Sequence, residues 1–171
     1  MLEDLLYTKK ALGQDGRSIT TYKFKTMYDG AEAQLDEVIS ANGFDGLGKP
    51  KNDPRITPIG RILRKYWIDE IPQLYSLTIG DLFLIGVRPR SNEDWKYYTE
   101  AHRKRCLKYK PGLISVNYAD MSLSNGHTGL KDIEDHESRY LDEKEINPLL
   151  TDVKYLLKCL YNVVFNGVRS R

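Results

Sequence analysis

Two adjacent carboxylates, Asp69 and Glu70, sit in the stretch Arg64-Lys65-Tyr66-Trp67-Ile68-Asp69-Glu70-Ile71-Pro72-Gln73-Leu74, and Gly80-Asp81 and Arg88-Pro89-Arg90 follow it. A carboxylate with cations within a few ångströms is held in its charged form. The same guanidinium and ammonium groups can hold the oxygens of a diphosphate. The pattern reads as a site for phosphate chemistry, with Asp69 as nucleophile and Glu70 as its metal-binding or acid/base partner. The competing reading is purely structural, since Asp is a good N-cap and Glu is common in a first helical turn.

Four elements must position this chemistry. Pro72 is tolerated in the first turn of a helix, so a helix is predicted to enter at Asp69, with Leu74 and Leu77 facing the core. Both carboxylates then lie at the end where free backbone N–H groups attract anions. Thr57-Pro58 is a strong helix start, after which Ile59, Ile62, Leu63 and Tyr66 recur as a core stripe. Arg64, off that stripe, lies one turn before the pair. Residues 1–12 read as a short helix ended by Gly13, and Gly13-Gln14-Asp15-Gly16 is turn chemistry. Ile19 to Met27 alternates as a strand and places Lys23 and Lys25 on one face, with a hairpin near residues 10–27. Leu82 to Val87 is an apolar run suited to a buried strand. Arg88 and Arg90 at its exit join Lys23, Lys25 and Arg64 as candidate phosphate-binding cations.

The remaining chain is expected to be mainly helical. Ala31 to Ile39 reads as a short acidic helix, and 40–53 as a loop. Residues 91–109 look helical, with Trp95, Tyr98, His102 and Cys106 a turn apart and His102 a core or rim residue; Lys110-Pro111-Gly112 closes that segment. His127 and His136 lack partners at metal-ligand spacing, so no zinc site is expected. Glu134, Asp135, Glu137, Asp142, Glu143 and Glu145 lie in a charged helix, 131–146, whose acidic face reads as solvated. A last helix, about 151–165, starts at a Thr151 cap and carries Val153, Leu156, Leu157, Leu160 and Val164 as an apolar face. Such a basic amphipathic helix either packs on the core or lies on a membrane surface. If it is not buried, it predicts a membrane-facing surface beside the site and association into oligomers when lipid is removed.

With 171 residues, 40% of them apolar and 29% charged, the chain suits one soluble globular domain, 1–171. The expected class is α+β, mainly helical, with a small hairpin and strand component. A net charge of only +2 argues against a nucleic-acid surface, because the positive charge is clustered locally at 61–65, 88–90 and 103–110. Cys106 and Cys159 have no metal spacing and suit a reducing compartment. No apolar run is long enough to span a bilayer, and the first residues are too charged for a signal peptide.

Read in order, several blocks resemble a known family. They are Tyr22-Lys23-Phe24-Lys25-Thr26-Met27, Asp53-Pro54-Arg55-Ile56-Thr57, Gly60-Arg61-Ile62-Leu63-Arg64-Lys65, Asp69-Glu70-Ile71-Pro72-Gln73-Leu74, Gly80-Asp81 and Gly86-Val87-Arg88-Pro89. Lys110-Pro111-Gly112 and Asp152-Val153-Lys154 continue the pattern, which covers about residues 12 to 168. The chain is identified on them as similar to the bacterial sugar transferases, the monotopic polyprenyl-phosphate glycosyl-1-phosphate transferases. The resemblance implies transfer of a sugar 1-phosphate from a UDP-sugar to a polyprenyl (undecaprenyl) phosphate, with release of UMP. It implies Mg²⁺, a covalent phosphosugar intermediate on Asp69, Glu70 as metal ligand with Asp69 beside it, and Lys23, Arg64 and Arg88 at phosphate. The implied place is the cytoplasmic face of the bacterial inner membrane, in surface polysaccharide or glycoconjugate initiation.

This chain departs from the family at three points. Members carry a hydrophobic re-entrant helix before the position of residue 1. The expectation is therefore a piece of a larger membrane protein, or reliance on a partner for anchoring. Val87 stands where a Pro is usual. Leu-Ile-Ser-Val-Asn-Tyr-Ala-Asp-Met replaces a Gly- and Gln-rich stretch ending in Asn-Gly-Arg. The alternative function is a non-catalytic scaffold or nucleotide-sugar-binding domain of the same fold.

Overall fold

Antiparallel strands β1 (Leu6–Leu12) and β2 (Ser18–Phe24) form a hairpin, with Tyr7 opposite Lys23, Lys9 opposite Thr21 and Ala11 opposite Ile19. The computed structural model describes residues 5–43, 50, 52–124 and 129–168. The helix expected over 1–12 is, where described, the strand β1. Seven residues gain little from isolated helix formation. The turn that follows instead places Asp15 and Gly16 at φ 56° and 75°, which returns the chain along β1. Ile19 and Thr21 are buried on the hairpin face that also carries Lys23. β2 ends at Phe24, short of the predicted Met27, which makes an isolated bridge to Ile56.

A 3-10 turn over Ala31–Gln34 leads into α1 (Leu35–Asn42), where an acidic helix was expected. The sequence 40–53 lies partly outside the described residues. α2 (Pro58–Lys65) starts as predicted: the Thr57 hydroxyl accepts from the Gly60 N–H at 2.9 Å, and Pro58 is the first helical residue. Its stripe faces the other way, however. Ile59 is 71% and Ile62 58% exposed, and Tyr66 is exposed too, whereas Gly60 is buried. The cause is a close approach: a Cβ on Gly60 would lie 2.1 Å from the Thr26 carbonyl oxygen. Only glycine lets α2 seat on the end of β2, so the glycine side turns inward.

The Asp69 segment is a 3-10 helix, Ile68–Gln73, continued by α3 (Leu74–Thr78). Pro72 is accommodated, but Leu74 is exposed and Leu77 only partly buried, while Gln73 and Ser76 point inward. β3 (Phe83–Gly86) follows in the predicted apolar run with Leu82, Ile85 and Val87 buried, but Phe83 and Leu84 are exposed, so the strand is buried on one side only. The predicted helix 91–109 is two pieces, α4 (Asn92–Trp95) and α5 (Glu100–Cys106), because Ser91 and Thr99 each supply a cap. Its core stripe is as expected, with Trp95, His102 and Cys106 buried. β4 (Gly112–Ser115) pairs in parallel with β3, then a 3-10 turn (Val116–Ala119) and α6 (Met121–Ser124) precede the long pair α7 (Leu130–Ile146) and α8 (Pro148–Phe165). His127 lies outside the described residues. α8 is capped by Asn147, whose Oδ1 accepts the Leu150 N–H at 3.2 Å. Thr151, the expected cap, is buried inside the helix. The architecture is α+β and mainly helical, and no helix of the described residues is long and apolar enough to cross a membrane.

Among the described residues, α7 contributes to two buried charge pairs. Glu137 was assigned to a solvated face, yet it is 0% exposed. It accepts from Arg90 at 2.6 and 2.9 Å and from the Asn117 amide at 2.9 Å, and His102 Nε2 lies 2.8 Å away. Arg90 is sandwiched over Trp95 and Tyr98, 5.0 and 4.1 Å from their ring centres. Burial alone would raise the Glu137 carboxyl, but Arg90 and His102 outweigh it and hold it at about 2. Between α7 and α8, Lys144 donates to both Asp152 oxygens at 2.6 and 2.7 Å. Cys106 and Cys159 are buried free thiols, and burial pushes Cys159 up to about 12.

A depressed carboxyl stabilises the fold above its unfolded value and loses that contribution as pH falls through the folded one. Between the ordinary 4.5 and about 2, Glu137 is worth about 3 kcal/mol. Denaturation melts should show stability falling over that interval. Glu137→Gln should be less stable at pH 7, because Arg90 is left buried and uncompensated, and it should show a shallower acid slope. A slope equal to the wild type's would refute the assignment.

Candidate active site

The carboxylate pair lies where α2, the 3-10 helix, β2 and the β3 exit meet. Trp67, just before it, has φ 55°, a left-handed conformation uncommon for a bulky residue. Such strain persists where packing over-determines it, and here the Trp67 ring packs edge-on to Tyr118 at 5.7 Å. The turn brings Glu70 against two cations from distant chain positions. Lys23 Nζ is 2.5 Å and Arg88 Nη2 3.7 Å from Glu70 Oε1.

Arg64 enters from the inner side of α2, where its Nε donates to the Thr26 hydroxyl at 2.9 Å. Burial lowers its guanidinium, opposed by the charges of Asp69 and Asp53. Lys23 is likewise lowered by burial and by the neighbouring Arg88, with Glu70 and Asp69 pulling the other way. Burial also acts against Arg88, but Glu70 and Tyr118 outweigh it and leave its guanidinium raised. Three cations thus crowd two carboxylates in a partly dehydrated site. Asp69 itself is 4% exposed, and it lies within electrostatic reach of both Lys23 and Arg64.

Two of the candidate residues lie elsewhere. Arg90 belongs to the buried Glu137 network, because its guanidinium turns into the core between Trp95 and Tyr98. Lys25 is exposed beyond the end of β2 and makes no ion pair among the described residues. The Asp53-Pro54-Arg55 block is a structural latch, in which Arg55 forks onto Asp53 at 2.6 and 2.8 Å and donates to the Ala31 carbonyl. Asp81 holds Arg17 of the hairpin turn.

Tyr118 was missed. It is buried and accepts a hydrogen bond from Arg88, and it lies in the stretch Leu113–Met121 that departs from the pattern the sequence otherwise resembles. A lone tyrosine in an apolar run was the available signal. Lys9, which lines the site's polar cavity with Asp94, was hidden by the helical reading of 1–12.

Two cavities meet at Glu70. A polar one of about 110 Å³ runs between the hairpin face and the β3 exit, past Lys23 and Arg88. An apolar one of about 310 Å³ runs between α3 and α8, lined by Ile71, Leu74, Leu160 and Val163. They share Glu70 and Leu113. Glu70, which lines the polar cavity, is a hard oxygen donor of the type that suits a divalent cation. A second cluster, His102, Cys106 and Glu137, has its ligand atoms within 4.8 Å of one another but is already internally hydrogen-bonded in the core.

Guanidinium and ammonium groups crowded on two carboxylates are of the kind that can hold phosphate oxygens. The family model described as bacterial sugar transferase matches residues 2–166, and the chain belongs to that family. It is 33% identical over 167 residues to the galactosyl transferase CpsE of Streptococcus agalactiae, covering 97% of this chain and 36% of that protein. It is 33% identical over 116 residues to the undecaprenyl-phosphate galactose phosphotransferase of Salmonella typhimurium, covering 65% of this chain and 24% of that protein. Against the UDP-glucose:undecaprenyl-phosphate glucose-1-phosphate transferase of Escherichia coli K12 it is 30% identical over 112 residues, covering 64% of this chain and 22% of that protein. The chain thus spans from about a fifth to about a third of the length of these relatives.

The contact of Gly60 with Thr26 sets the position of Arg64. Gly60→Ala should lower Tm by roughly 4 °C or more. Scanning calorimetry checks this, and an unchanged Tm would show that α2 can shift without cost.

Proposed function

We propose that the chain is the catalytic domain of a phosphoglycosyl transferase, moving a sugar 1-phosphate from a UDP-sugar to polyprenyl phosphate with release of UMP. The supporting observation is the convergence of Lys23, Arg64 and Arg88, from three separate elements, on Asp69 and Glu70. The names of the relatives, an undecaprenyl-phosphate galactose phosphotransferase and a UDP-glucose:undecaprenyl-phosphate glucose-1-phosphate transferase, agree with that chemistry.

In the first step an Asp69 carboxylate oxygen attacks the sugar-bearing phosphorus. The new O–P bond forms as the bond to the UMP oxygen breaks, and the electron pair leaves with UMP. In the second, a polyprenyl phosphate oxygen attacks the same phosphorus and restores the free carboxylate. This divides one hard transfer into two easier ones. Lys23 and Arg88 neutralise the phosphoryl oxygens, while Arg64 holds the Asp69 side in its charged form. Glu70, rather than Asp69, lines the cavity, so the incoming phosphate parts Lys23 from Glu70 to reach the nucleophile. Glu70 is then available to hold Mg²⁺, with Asp69 beside it; the ion would offset phosphoryl charge.

The acceptor is a lipid, and the apolar outer faces fit a membrane. On α2 the Ile59 and Ile62 side chains point outward, and on α8 Leu157 is 61% exposed, with Val164 and Phe165 exposed near its end. We place these faces at the cytoplasmic surface of the bacterial inner membrane, where surface polysaccharide or glycoconjugate synthesis begins. The burial of Asp69 favours the second reading, a domain that binds nucleotide-sugar without turnover.

Incubation with undecaprenyl phosphate, Mg²⁺ and a panel of UDP-sugars in detergent should release UMP. Asp69→Asn and EDTA should each abolish release. Activity that survives Asp69→Asn would remove the nucleophile, and no release from any donor would favour the binding domain. Independently, Ile62→Glu with Leu157→Glu should cut flotation with lipid vesicles by about tenfold or more. Equal flotation would place the membrane contact elsewhere.

A further inference from the structure

The polar cavity extends past Lys23, Glu70 and Arg88 to a third cation, Lys9, that the reaction described above leaves unused. Lys9 stands on β1 directly opposite Thr21, on the hairpin face that also carries Lys23. Diagonal neighbours across an antiparallel pair lie roughly 7–8 Å apart. Two lysine side chains at that spacing can reach adjacent phosphates of one diphosphate.

The ammonium of Lys9 is tethered. It donates to Asp94 Oδ2 at 2.9 Å, and the same oxygen accepts from the Ser91 N–H at 3.0 Å and the Ser91 hydroxyl at 2.7 Å. Ser91 is buried and directly follows the Arg88-Pro89-Arg90 segment. The capping of α4 therefore fixes Asp94, Asp94 holds Lys9, and both line the cavity that Arg88 enters. A simple surface ion pair would be worth little, and this one is half exposed, at 45% and 44%. What sets it apart is its place in the same cavity as Lys23, Glu70 and Arg88. An ammonium has three N–H groups, so the tether to Asp94 leaves donors for a ligand.

We propose that Lys9 is a further donor-binding residue, whose ammonium takes the phosphate of the departing nucleoside monophosphate while Asp94 acts as its positioning residue. This rests on the transfer reaction proposed above. When the bond to the UMP oxygen breaks, the electron pair makes the leaving phosphate more negative. That charge develops on the group beyond the phosphorus that Asp69 attacks. Lys23, Arg88 and Glu70 surround the transferred phosphoryl group, and Lys9 supplies positive charge one step further along the hairpin face. No proton moves in this contact; the ammonium donates a charge-assisted hydrogen bond.

The test is titration calorimetry of UMP into the wild type, Lys9→Met and Lys9→Arg, alongside steady-state kinetics in detergent. Because Lys9 is half exposed, Lys9→Met should keep the wild-type Tm. It should weaken UMP binding by about tenfold or more and raise the KM for the UDP-sugar. The KM for polyprenyl phosphate should stay unchanged, and Lys9→Arg should recover most of the loss. UMP affinity within twofold of wild type in Lys9→Met would overturn the proposal, as would an equal rise in both KM values. A wild type that fails to bind UMP would overturn it as well. Binding is read separately from turnover, so an enzyme that binds UMP through Lys9 yet releases none would count against the transfer reaction alone.

Discussion

The ion pair between Arg90 and Glu137 constrains more of this molecule than any other contact described. A carboxylate wholly withdrawn from water is tolerable only when its lone pairs are filled by charged or strongly polar donors. Glu137 meets that demand with Arg90 from the β3 exit, His102 from α5 and Asn117 from the turn after β4. Three segments far apart in the chain are thereby locked to α7. Arg88 lies two residues from Arg90, and Tyr118, which receives its hydrogen bond, is adjacent to Asn117. The core pair thus fixes both sides of the guanidinium that faces Glu70.

That arrangement lets the surface of the site carry crowded charge. Like charges at Lys23 and Arg88 repel, and burial weakens the ammonium further. The cluster persists because its members sit on elements whose positions are set elsewhere: the hairpin register, the Gly60 contact and the core pair. The site is preorganised by its scaffold rather than by its own attractions.

Local signals carried over well from sequence to structure. Thr57-Pro58, the strand after Leu82 and the stripe Trp95–His102–Cys106 are settled within a few residues, by backbone geometry or apolar spacing, whereas the Ser91 and Thr99 caps that divide the predicted helix 91–109 were not read. Of the five proposed cations, the fold brings Lys23, Arg64 and Arg88 to the carboxylate pair, from a strand, a helix end and a strand exit. What could not be read was direction. Periodicity marks an apolar stripe on α2, but a single glycine seated on Thr26 decides that the stripe faces outward. Nothing near Glu137 separates it from five neighbouring acids; its partners are 20, 35 and 47 residues away. Arg88 and Arg90 are chemically alike, and only Trp95, Tyr98 and Glu137 claim the second.

The parallel pairing of β3 with β4 bears on the order in which the chain assembles. A hairpin such as β1–β2 closes a short loop and can form early. Phe83 meets Gly112 only after the intervening helices have folded back, and contacts of large sequence separation are slow to form. Arg88 leaves the end of that ribbon, and Lys23 meets Glu70 across 47 residues of chain. The positive charge around the carboxylate pair therefore depends on contacts of large sequence separation, so a chain that lacks them holds Asp69 and Glu70 without it.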